Sequence, residues 1–131
     1  MKPFGPQHKI CYLRSTMRTD RIIDPATRRS VDLFLARIAG DYPIAEAWLY
    51  GSRARGDARP ESDADLAIVL EAPKGRTSPV ATAMAGPAYD VMLETGIFIS
   101  PIPIWKEDWH DPSRHSNPLL VRNIKREGIA L

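Results

Sequence analysis

In the stretch GSRARGDARPESDADLAIVL, residues 51–70, Asp63 and Asp65 stand two positions apart at the mouth of an apolar run. Side chains alternate along a strand, so the two acids share a face wherever strand conformation reaches back to Asp63. Their Cα atoms then lie about 6.5 Å apart, twice the rise per residue, and both carboxylates can converge on one small cation or a pair of them. Two like charges that close do not both ionise unless a cation sits between them. An all-oxygen pair of this kind suits a hard divalent ion such as Mg²⁺. Upstream, with ten residues between, Gly51 permits close backbone approach and Ser52 brings a hydroxyl and an N–H, while Arg53 and Arg55 add positive charge. Such a turn can hold polyphosphate. Phosphates gripped beside a carboxylate-bound metal are the ingredients of phosphoryl or nucleotidyl transfer by in-line displacement. The turn is not the P-loop of NTPases, because no Gly-Lys-Ser/Thr follows it.

The elements that must position these residues follow from pattern. Asp24-Pro25 starts a helix, with Val31, Phe34, Leu35 and Ile38 on one face and Gly40 as its end. AEAWLYG then alternates, Trp48 and Tyr50 one way and Ala47 and Leu49 the other, a strand delivering the chain to Gly51. DLAIVL is apolar on both faces after Asp65, which predicts a central strand covered on both sides. Ser78-Pro79 opens a second helix running to Thr95, with a kink or two shorter pieces expected at Gly86-Pro87. IFISPIPIW is a third strand-like run whose Pro101 and Pro103 suggest an edge position or an early end. KEDWHDPSRHS reads as a polar connection, and Asn117-Pro118 opens a last helix ended by Gly128. The order helix, strand, strand, helix, strand, helix predicts an α/β (α+β) domain, a small mixed sheet flanked by helices.

Composition narrows the classes. A chain of 131 residues, 44% hydrophobic and 26% charged, is one globular domain's worth. Cys11 is the lone cysteine, so no intramolecular disulfide can form, and no signal peptide or membrane-spanning run is visible; a cytoplasmic location and no membrane partner are expected. Net charge is only +2, yet Lys2, Lys9, Arg14, Arg18, Arg21, Arg28 and Arg29 face only Asp20 and Asp24 early in the chain. Residues 1–23 therefore read as a basic, irregular extension with at most a short strand near Ile10 to Leu13, and 24–131 as the domain. A basic segment can attract RNA or another polyanion, though a solvated tail is the simpler reading. His110 and His115 with Asp108 and Asp111 match no zinc spacing. Trp48, Trp105 and Trp109 are expected to pack rather than stack a base.

Gly51-Ser52, ten intervening residues, then Asp63-Ala64-Asp65-Leu66 resembles the signature of the nucleotidyltransferase superfamily related to DNA polymerase β. The short length, the Arg-Ala-Arg-Gly filler and the ending PLLVRNIKREGIAL are similar to its minimal nucleotidyltransferases, small stand-alone prokaryotic domains, over residues 25–131. The resemblance implies the polymerase β-like fold, triphosphate contacts from Gly51 and Ser52, and Asp63 and Asp65 as catalytic carboxylates holding Mg²⁺. Arg53 and Arg55 are read from their type as phosphate contacts that neutralise charge, with Arg55 equally able to pair with Asp57 or Glu61 and organise the turn. It also implies transfer of a nucleoside monophosphate, AMP from ATP or the equivalent from another NTP, to an acceptor hydroxyl. Several relatives are paired with a helical HEPN-family toxin, a ribonuclease, which they counteract by binding it or adding AMP to it. A partner tyrosine is then one acceptor, and a homo- or hetero-oligomer would complete the open site. Many members carry a third carboxylate on the next core strand, where IFISPIPIW has none. Asp90, Glu94 and Asp108 are substitutes that spacing does not separate. That departure supports an alternative, a catalytically weak or inactive module that neutralises such a toxin by complex formation.

Overall fold

Asp24 caps the first helix in the computed structural model, which describes residues 22–75 and 77–131. Its Oδ1 accepts from the Thr27 amide at 2.9 Å and its Oδ2 from Thr27 Oγ1 at 2.6 Å. Pro25 occupies the first turn, where its missing N–H would have had no helical acceptor. Helix α1, Pro25–Ile38, buries Val31, Phe34, Leu35 and Ile38 as one stripe, as the spacing predicts.

Strand β1, Ile44–Tyr50, runs to Gly51, and one helical turn, α2, Ser52–Arg55, stands where the sequence suggests only a turn. A loop over 56–63 leads into β2, Ala64–Leu70, antiparallel to β1. Helix α3, Thr77–Thr95, crosses to β3, Ile99–Trp105, which pairs parallel with β2. Two short helical pieces follow, α4 (Lys106–His110) and a 3-10 turn (Pro112–Arg114), where a polar connection is expected. Helix α5, Pro118–Glu127, and a two-residue strand β4, Ile129–Ala130, close the chain against β1.

The sheet order is β3-β2-β1-β4, so β2 is inner, as its two apolar faces require. One face carries Ala64, Leu66, Ile68 and Leu70 against α1 and α3; the other carries Ala67 and Val69 against Trp109, Val121 and Ile124. Pro101 and Pro103, two apart, turn their donor-free nitrogens to the same side, and β3 is outermost. In α3 one helix runs through Gly86-Pro87, so of the two expectations the split into shorter pieces is not what forms. The N–H that Pro87 lacks would have met the carbonyl of Ala83, an exposed residue whose oxygen water can satisfy. The connection after β3 is less polar in its role than its composition suggests, because Asp108 and Trp109 are buried within it. The readings of residues 1–21, the basic segment and the short strand near Ile10 to Leu13, lie outside the described residues. Among the described residues no helix is long and apolar enough to cross a membrane.

Candidate active site

Strand β1 ends in a residue that only glycine serves. Gly51 has φ +77°, and a Cβ built on it would collide with Asp65 Oδ2 and lie 3.2 Å from the carboxyl carbon. The Asp65 carboxylate thus rests on the bare Cα of the turn, the close approach the sequence pattern anticipates. Gly51 O accepts from the amides of Ala54 and Arg55 at 3.1 and 3.0 Å, closing the turn of α2. The first-turn amides of Ser52 and Arg53 have no acceptor within the helix.

Asp63 lies one residue before β2 and is exposed, whereas Asp65 lies within the strand and is half-buried. Burial, and then the charge of Asp63, hold the Asp65 carboxyl above the usual value of 3.8, while the charge of Arg55 opposes them. The two acids therefore sense each other, and Arg55 reaches the same field. Among the described residues, neither carboxylate accepts a hydrogen bond or pairs with a protein cation. Two mutually repelling, unpaired carboxylates with oxygen donors only are the chemistry that suits a hard divalent ion. No cluster of three or more metal-ligating side chains occurs among the described residues. Phosphate oxygens and water would have to complete the shell of any ion at the pair, as is usual for Mg²⁺.

The arginines separate. Arg55 is exposed and pairs with Asp57 at 3.3 Å. Arg53 turns inward to 7% exposure and donates only to protein: Nε to Ser62 O at 2.9 Å, Nη1 to Thr27 Oγ1 at 2.9 Å, and Nη2 to Pro60 O and Arg59 O at 3.1 and 3.3 Å. Arg53, expected with Arg55 as a substrate contact, is thus placed facing the protein interior. Its guanidinium is committed to backbone and hydroxyl acceptors, leaving Arg55 as the solvent-facing cation of the turn.

Pairing across the sheet sets a row that spacing alone does not reveal. Tyr50 on β1 and Ser100 on β3 are both in register with Asp65, so their side chains share its face. Burial and the Asp65 charge push the Tyr50 phenol up to about 12, keeping it a neutral hydroxyl. The position beside Asp65 on β3 is thus Ser100, not an acid. None of the three substitute carboxylates reaches it. Glu94 pairs with Arg37 and Arg29 at 3.0 and 3.4 Å between α3 and α1, on the opposite face. Asp90 is exposed on the same helix, and Asp108, 2% exposed, pairs with Lys74 at 3.0 Å beyond the far end of β3. The tryptophans pack as expected: Trp48 and Trp109 rings lie 5.3 Å apart, Lys125 Nζ sits 4.8 Å over Trp109, and Trp105 is buried.

A mixed sheet layered by helices carries the Asp65 carboxylate against the Gly51 turn, with Asp63 two residues before it. The chain belongs to the nucleotidyltransferase domain family, which it matches over residues 31–131. Among solved structures it is similar to a candidate nucleotidyltransferase from Sulfolobus solfataricus, with 18% identity, 80% of this chain and 81% of that one covered, and a TM-score of 0.42. No curated protein matches it.

Proposed function

We propose that this chain is a Mg²⁺-dependent nucleotidyltransferase that moves AMP from ATP to an acceptor hydroxyl. One observation carries the reading: the Asp65 carboxylate lies against the Cβ-free Gly51, shares its field with Asp63, and makes no ion pair among the described residues. A protein gains nothing in stability from that arrangement, since it places two repelling charges together. It becomes favourable when a cation and a polyphosphate join it.

In this reading the Ser52 hydroxyl and the amides of Ser52 and Arg53 hold the triphosphate, and Arg55, released from Asp57, offsets its charge. Asp63 and Asp65 hold Mg²⁺, which when bound supplies Lewis-acid stabilisation of charge on the α-phosphate. The acceptor oxygen attacks the α-phosphorus in line, the bond from that phosphorus to the bridging oxygen breaks, pyrophosphate leaves, and the hydroxyl proton passes to solvent. The small domain leaves the site open, so a partner that carries the acceptor can close it; a HEPN-type toxin with a tyrosine hydroxyl fits that role.

Label from α-labelled ATP should appear on the product of the neighbouring gene when both proteins and Mg²⁺ are present. No transfer with any of the four nucleotides would overturn the catalytic reading. Ser100, standing where a third acid would complete the pair, favours a second reading, an antitoxin that acts by complex formation. Neutralisation of the partner that survives Asp63→Asn combined with Asp65→Asn selects binding; its loss in a folded variant selects catalysis.

A further inference from the structure

We infer that Arg53 is the positioning residue of the acid pair: its buried fork holds the loop over 59–62 so that Asp63 arrives beside Asp65. This rests on the metal-binding reading above and assigns Arg53 no contact with nucleotide. The loop closes on itself, Ser62 N donating to Arg59 O at 3.0 Å and Arg59 N to Ser62 Oγ at 2.9 Å. That turn is tied to the body of the domain from one side. The carbonyls of Arg59, Pro60 and Ser62 all accept from Arg53, and the next anchor is Ala64 N on Phe98 O at 2.9 Å, past Asp63.

Asp63 is exposed, makes no hydrogen bond among the described residues, and is repelled by Asp65. Left to itself, the segment ahead of Ala64 would swing toward water and separate the charges. Three bonds from one planar, five-donor head oppose that swing. The head is fixed in turn from behind by Thr27 Oγ1 at 2.9 Å and by Asp24 Oδ2 at 3.9 Å, both at the start of α1. A chain of contacts thus runs from the α1 cap through Thr27 and Arg53 to the loop that carries Asp63. Lysine cannot replace the fork, because one ammonium cannot reach acceptors spread along three residues and a helix cap.

The test measures Mn²⁺ affinity of the full chain without nucleotide, alongside thermal melting. Arg53→Lys should weaken Mn²⁺ binding by about tenfold, as loss of a supporting contact behind a metal ligand typically does. Met84→Ala, a core truncation in α3 outside the Arg53 network, should lower the melting temperature yet leave Mn²⁺ affinity within about twofold. Mn²⁺ affinity unchanged in Arg53→Lys would overturn the inference, and so would an equal loss in both variants, since general destabilisation would then explain it. In the unaltered chain, Mg²⁺ should slow hydrogen exchange at the Arg53 Nε–H and the Ser62 amide together; no slowing at Arg53 would contradict the inference even if Arg53→Lys does not fold. An unaltered chain that binds no Mn²⁺ would overturn the metal-binding reading itself, whereas one that binds it equally with lysine at 53 overturns only the role of Arg53.

Discussion

Asp65 and Gly51 are a pair at the scale of single residues, because the carboxylate occupies the space a side chain at 51 would need. Gly51→Ala therefore meets both a positive φ and a collision, and should destabilise the fold by about 1–3 kcal/mol while abolishing ATP binding, read by melting and calorimetry. Asp65→Asn should do the reverse to the metal-free protein. A carboxyl whose folded pKa is raised is easier to ionise in the unfolded chain, so stability is fullest below the usual value of 3.8 and falls as pH rises through the raised folded value. Removing that ionisation should raise the melting temperature at neutral pH and flatten this part of the pH profile. The Gly-Ser turn and both acids were legible in the sequence because they form a local motif. Arg53 was not: whether an arginine faces in or out depends on acceptors the fold brings from elsewhere, here Thr27, 26 residues away. Tyr50 and Ser100 were hidden for a similar reason, since strand register is a property of the sheet.

At the scale of elements, the caps and apolar stripes of α1 and α5 were readable, as were the inner position of β2 and the edge position of β3. The pieces that pattern missed, α2, α4 and β4, have at most five residues each, too short for a period to show. Helix α3 misled because Gly-Pro is a strong breaker signal locally, while packing of Met84, Ala88 and Val91 on the sheet holds the helix through it. Gly86 is exposed with nothing within 4 Å of a built Cβ, so Gly86→Ala should stabilise the domain by about 0.5–1 kcal/mol in denaturant titrations. The cap of α1 works the other way. Burial would raise the Asp24 carboxyl, but hydrogen bonds from Thr27 and the charge of Arg53 leave it below its ordinary value. Its contribution is present above the usual carboxylate pKa and is lost as pH falls through the depressed folded value. Asp24→Ala should cost about 1 kcal/mol at neutral pH and little in strong acid, by the same titrations at two pH values.

For the whole molecule, one face of the sheet serves the core beneath α1 and α3, and the other carries the row Tyr50, Asp65 and Ser100 at the end nearest the Gly51 turn. Both faces thus carry a buried apolar layer, and the acid pair stands at one end of the second, without a hydrogen-bond or ion-pair partner among the described residues. The central claim is that this pair and turn bind a metal-nucleotide complex, and calorimetric titration of ATP tests it most directly. With Mg²⁺ present, ATP should bind the unaltered chain and, at a hundredfold excess over its dissociation constant, stabilise it by about 2.7 kcal/mol. Binding should vanish without Mg²⁺ and in Asp63→Asn combined with Asp65→Asn. ATP binding that is equal with and without Mg²⁺, or equal in that double variant, would contradict the account.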